Sequence, residues 1–212
     1  MDKLEEMVYY QTIIYAIEKP EFLESVRSIS DKYLEISKSQ DPDHDKRLTL
    51  MTGTYAHEPE VAYFSQYVAQ SAWNILSTQG FAMELLATHF NEMWTQEHRF
   101  GSSMDTHVHP YGAQITAFYF LDVPENSNKL ITHDPRPAKV ISSLYPENVN
   151  NINMATDPIT FTPKEGLLIF TNAWLPHAFS RNESQNPFRF VHMCLGVIQA
   201  PERLPDPNVE II

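Results

Sequence analysis

The chain is poor in cysteine, in cationic side chains and in long apolar runs. Cys194 is its one cysteine, so no disulfide can close within it, and that fits a reducing compartment. No apolar stretch approaches the roughly 20 residues that cross a bilayer. The amino terminus, MDKLEEMVYY, is acidic where a secretory leader would be basic and then apolar, so a soluble, cytoplasmic protein is expected. With 15 Lys and Arg against 27 Asp and Glu, the net charge of −12 repels nucleic acid and anionic membrane, although it leaves room for a small basic pocket. There is also no internal repeat, low-complexity tract or interdomain linker.

What is present is enough for a core. At 212 residues the length is nearer to one domain than to two, at roughly 150 residues each. Hydrophobic residues make up 42% and aromatics 12%, as in globular proteins. From Pro20 to Ile36 the residues Phe22, Val26, Ile29, Tyr33 and Leu34 recur at three- and four-residue steps, which predicts a helix. A second helical pattern runs from Val61 to Leu76, after Pro59 and before Gly80. Between them, Asp41, Asp43 and Asp45 alternate as in a calcium loop, but the glycine and closing glutamate are missing, so a solvated turn is expected.

After about Phe81 the pattern shortens to strands: 88–97, 104–109, 114–123, 129–133, 159–162, 167–171 and 188–197. Pro163 to Gly166 reads as a tight turn, and 137–158 as a long loop of the kind that borders sites. The expected fold is mainly β with flanking N-terminal helices, an antiparallel sandwich or barrel. Within one domain spanning 1–212, residues 1–85 are scaffold, 86–200 the core and 201–212 a tail. The aromatic segment VYYQTIIYAI could be an edge strand, an inner strand or a homodimer surface.

Histidine carries the chemistry. In Asp105-Thr106-His107-Val108-His109, strand alternation puts Asp105, His107 and His109 on one face, about 7 Å apart in steps of two residues. Two imidazoles at that spacing can close on one ion about 2.1 Å from each nitrogen. His177, after the apolar GLLIF and the segment TNAWLP, is the best third ligand. Arg189, 12 residues further on, could hold a carboxylate in a bidentate fork. Each feature alone reads more simply as surface decoration, and the order of all of them is what points to a site.

That order resembles the iron(II)- and 2-oxoglutarate-dependent dioxygenases, in their prolyl-4-hydroxylase-like branch, over about residues 93–197. MWTQEHRFGSSMDTHVH is similar to that branch's strand, glycine and first metal histidine, with Gly101 six residues before His107. ITAFYFLDVP resembles its next strand, while KLITHDPRP and GLLIFTNAWLPHAF resemble a bacterial and phage subgroup with His-x-His-Pro, Asp-Pro-Arg and Trp-Leu-x-His elements. The resemblance implies a double-stranded β-helix, a cupin-like jelly roll. It also implies iron(II) on His107 and His177, 2-oxoglutarate anchored by Arg189, and a peptidyl or prolyl substrate hydroxylated with release of succinate and CO2. Thr116, Phe118 and Phe120, on one strand face, would line the cosubstrate pocket; Arg136 and Trp174 are weaker substrate contacts. His192, an odd step from Arg189, is expected to face away from the pocket.

One departure bears on all of this. The family pattern is His-x-Asp or His-x-Glu, and here His109 stands where the carboxylate should be. Either His109 ligates, or Asp105 supplies the carboxylate, or the redox chemistry is lost; the family register favours His107, His109 and His177. A different class remains open: a non-redox three-histidine metal protein, either a zinc hydrolase or hydratase or a structural jelly-roll module. Arg189 has no task in that class.

Overall fold

The chain is described here by a computed structural model covering residues 4–109, 112–142 and 144–200. The expected 201–212 tail and the proline of the His-x-His-Pro element, Pro110, lie outside the described residues.

Both helical patterns form helices. Pro20, whose fixed φ suits a first turn, starts a short 3-10 turn that runs into α1 (Leu23–Gln40), four residues longer than its apolar pattern. Pro59 does the same for α2 (Ala62–Thr78). The Asp41–Asp45 segment is a turn held by local ion pairs such as Asp41 to Arg47 at 3.1 Å.

The strands are β1 (Tyr15–Glu18), β2 (Thr49–Met51), β3 (Leu86–His98), β4 (Met104–His107), β5 (Ile115–Asp122), β6 (Leu130–Thr132), β7 (Ile159–Phe161), β8 (Leu167–Asn172), β9 (His177–Phe179) and β10 (Phe188–Gln199). They form a six-stranded sheet in the order β1-β8-β5-β10-β3-β2 and a four-stranded sheet in the order β4-β9-β6-β7. Every pairing is antiparallel. The aromatic N-terminal segment thus supplies an edge strand, β1. The strands β2 and β9, three residues each, lie outside the segments expected to be strands.

The larger sheet is buried on both faces. In β5, Ala117, Tyr119 and Leu121 point to a core shared with Val26 and Ile29 of α1 and Phe64, Val68 and Ala72 of α2. Phe118 and Phe120 point the other way and join Phe188 and Phe190 of β10, Leu130 of β6 and Phe179 of β9 in a second core. The result is a jelly roll with two helices on its outer face and an aromatic filling between its sheets. Among the described residues no helix is long and apolar enough to cross a membrane.

Candidate metal centre

The site grows out of the pairing of β4 with β9, which sets His107 directly opposite His177. β4 ends at His107, and His109 lies just past it, its backbone N–H donating to the Ala173 carbonyl at 3.1 Å. The Nδ1 of His107 meets the Asp105 carbonyl at 2.8 Å, and the Nδ1 of His177 meets the Leu175 carbonyl at 2.9 Å. A carbonyl only accepts, so each Nδ1 carries the hydrogen and each Nε2 keeps a lone pair for the interior. His109 Nε2 stands 3.2 Å from His177 Nε2, and ligand atoms of His107, His109 and His177 all lie within 4.8 Å of one another.

Burial, with neighbouring histidines adding to it, holds His109 and His177 down at about pKa 4. Near neutral pH they are therefore uncharged, the state in which imidazole binds metal. Three imidazole nitrogens suit iron(II) or zinc(II), and leave positions open in either case. Asp105 is exposed and meets His107 through its backbone carbonyl.

Two expected placements are reversed. His192 and Arg189 do lie on opposite faces of β10, but His192 is the one that faces inward. It is 2% exposed, its Nε2 is 3.1 Å from His109 Nε2, and its ring stacks on Trp94 at 4.6 Å. Arg189 shares the outer face with Val191 and Met193, and its guanidinium pairs with Asp31 of α1 at 2.5 Å and with Asp122. The reason is that both faces of β10 are apolar, so alternation separates the two residues without saying which one goes in.

The inner face offers a carboxylate neutral donors in place of that arginine. Thr116 pairs in register with Cys194 and Thr171, and Trp94 pairs with His192. The hydroxyls of Thr116 and Thr171 and the indole N–H of Trp94 are buried and have no hydrogen-bond partner among the described residues, so an acceptor beside any of them would be bound rather than merely tolerated. Phe118 and Phe120 share the face of Thr116 as expected, but both are completely buried in the aromatic filling. Phe118 lies edge-on to His177 with ring centroids 5.2 Å apart. Arg136 is pinned to Asp134 at 2.6 Å and lines an outer groove of about 540 Å³. That groove also takes in Tyr9, Met154, Leu175 and Thr132, the last of which pairs in register with His177. Trp174 is half exposed. The buried Cys194 thiol, pushed up to about 12 by desolvation, follows His192 on the inner face.

Residues 92–190 match the family described as "Putative 2OG-Fe(II) oxygenase". This stretch is similar to a 2OG-Fe(II) oxygenase core. Solved structures with the same fold include AviO1 from Streptomyces viridochromogenes Tue57, at 11% identity over 94% of this chain and 92% of that one with a TM-score of 0.60. A Pseudomonas putida prolyl-4-hydroxylase matches at 10% identity over 87% and 93% with a TM-score of 0.57. HygX from Streptomyces hygroscopicus, solved with nickel and 2-oxoglutarate bound, matches at 11% identity over 87% and 82% with a TM-score of 0.52. At these identities the likeness is one of fold, the double-stranded β-helix. No curated protein matches the sequence.

Proposed function

We propose that this 2OG-Fe(II) oxygenase core holds iron(II) on His107, His109 and His177 and uses 2-oxoglutarate to hydroxylate a peptidyl or prolyl substrate in the cytoplasm. The observation that carries the reading is the convergence of those three imidazoles within 4.8 Å inside a core of this family. When bound, iron(II) and 2-oxoglutarate supply the oxidising chemistry, in which dioxygen is consumed, the oxo acid becomes succinate and CO2, and a C–H bond becomes C–OH.

The chain's own residues supply geometry, charge and dryness. His107 and His177 are aimed by their Nδ1–H bonds to backbone carbonyls, which fixes both ring and tautomer. Replacing the family carboxylate with His109 leaves the site one unit more positive, which favours a dianionic oxo acid. The hydroxyls of Thr116 and Thr171 and the Trp94 N–H receive its far carboxylate, a task Arg189 cannot perform from the outer face. Phe118, Phe120 and Phe190 keep water from the inner wall. The substrate enters along the groove that holds Arg136 and Leu175, beside the strand register of His177.

The test is to add iron(II) and 2-oxoglutarate without oxygen, follow the weak visible charge-transfer band, then admit air and measure succinate. Both signals are expected. If neither appears, the reading falls. An all-imidazole donor set then favours the zinc class, in which bound water is acidified to a pKa of roughly 7.

A further inference from the structure

The three-histidine reading leaves His192 and Cys194 without a task. Two steps apart on β10, they share its inner face, and both are only 2% exposed. Ligand atoms of His109, His192 and Cys194 all lie within 4.8 Å of one another, a second convergence beside that of His107, His109 and His177. His192 Nε2 is 3.1 Å from His109 Nε2 and 4.0 Å from Cys194 Sγ. Around one ion, at about 2.1 Å from nitrogen and about 2.3 Å from sulfur and at angles of about 90 to 120°, two nitrogens stand about 3.0 to 3.6 Å apart and a nitrogen and a sulfur about 3.1 to 3.8 Å. The nitrogen pair already has that spacing, and a small rotation about the one side-chain bond of Cys194 closes the rest. Thr116, in register with Cys194, keeps a buried hydroxyl with no partner among the described residues, a donor free for a metal-bound sulfur.

Both convergences use the same atom. His109 Nε2 is 3.2 Å from His177 Nε2 of the smaller sheet and 3.1 Å from His192 Nε2 of the larger, and one nitrogen has one lone pair. We propose that His109, His192 and Cys194 form a second metal site, for a thiophilic ion and copper(I) in particular, which cannot be filled while His109 serves the ion held with His107 and His177. The choice of ion follows from the donors and their burial. A thiolate with two imidazoles is the softer set and selects copper(I) or zinc(II), while three imidazoles also accept iron(II). Between two packed sheets a net charge is costly, and a thiolate on a monovalent ion cancels it where a divalent ion leaves one unit. As the copper–sulfur bond forms, the Cys194 S–H bond breaks, its proton passes to the buffer and copper stays monovalent. The second site stands on its own geometry; only its competition with iron rests on the three-histidine reading.

The experiment uses the full chain without oxygen and two probes. Copper(I), delivered in a chromogenic chelator that sets its free concentration, is followed by X-ray absorption in the wild type and in Cys194→Ala. One thiolate sulfur and two imidazoles are expected in the wild type. The variant should show no sulfur and an affinity loss beyond the roughly 100-fold that losing a mere hydrogen-bond partner of a ligand can cost. Manganese(II), standing in for iron(II), is loaded first in a second sample, and one equivalent of copper(I) should release it, read as the sharp six-line electron paramagnetic resonance of the free ion. A copper shell without sulfur, or a folded Cys194→Ala that keeps the sulfur or the affinity, overturns the site. A sulfur-bound copper that leaves manganese in place overturns the shared His109. A wild type that binds copper through sulfur but takes up no manganese supports the second site and overturns the three-histidine reading. Cys194 is the one thiol in the chain, so a thiolate sulfur in the wild-type shell decides the matter even if Cys194→Ala misfolds.

Discussion

The Arg189 guanidinium lies 2.5 Å from the Asp31 carboxylate of α1 and also meets Asp122 at the end of β5, so it clamps a helix to the outer face of the larger sheet. Arg27, one helical turn before Asp31, reaches Asp122 as well, at 3.1 Å. Asp122 therefore sits between two cations, and removing one leaves a partly buried carboxylate less well compensated. Arg189→Gln is expected to lower stability by about 1–2 kcal/mol, with metal affinity unchanged. Urea titration and chelator competition measure the two effects, and a loss of metal affinity at constant stability would return Arg189 to the site.

The turn between β7 and β8 depends on Gly166. Its φ is +77°, its N–H donates to the Phe120 carbonyl at 2.9 Å, and a Cβ there would stand 2.9 Å from Pro20 Cα. That contact is backbone, so it cannot swing aside. Gly166→Ala combines a left-handed conformation with a clash and should cost about 2 kcal/mol or more. A thermal melt that matches the wild type would show that the turn after β1, at Pro20, relaxes freely around it.

How much of this was legible depends on whether a residue's two possible surroundings differ. The helices were readable because their apolar residues repeat on one side only, and β5 because β-branched and aromatic residues dominate a segment between turn signals. His107, His109 and His177 were readable as a set because a short-range pair and one distant histidine matched a known order. The orientation of β10 was not, since Phe190 and Val191 are both fully buried and a strand with two apolar faces has no polar side to mark the surface. Arg189 was assigned inward by its distance from His177 along the chain, and the Asp31 that draws it outward lies 158 residues away. The unpartnered Thr116, Thr171 and Trp94 groups become visible only once four strands are in register.

His98 offers a separate check on the aromatic interior. It is completely buried, with Phe179, Phe188 and Phe190 around it at 5.5 to 6.2 Å, and desolvation lowers its pKa from 6.5 to about 4. The folded protein keeps it neutral while the unfolded chain takes up a proton below pH 6.5. Stability is thus fully present above pH 6.5 and is lost progressively down to about pH 4. Between pH 7.5 and pH 5 the loss from this one group should be about 2 kcal/mol. Comparing His98→Leu with the wild type by denaturant titration at the two pH values isolates it from the other histidines. Parallel acid limbs in the two proteins would mean that His98 is charged inside the fold or reached by water.

His109→Asp would restore the carboxylate of the family pattern at the one position where this chain departs from it. The backbone there is already fixed by its bond to Ala173, and His107 and His177 keep the carbonyl bonds that aim their rings. The metal should be retained and the net charge at the site should fall by one unit. A unit charge about 4 Å from the ion is worth on the order of 1–4 kcal/mol between fully solvated and partly shielded surroundings. It favours the more highly charged metal, so the iron reduction potential should drop, and the same charge opposes a dianionic oxo acid, so 2-oxoglutarate should bind more weakly in an anaerobic titration of the visible band. A rise in potential, or tighter cosubstrate binding, would mean that His109 is not in contact with the ion and that the charge acts from elsewhere.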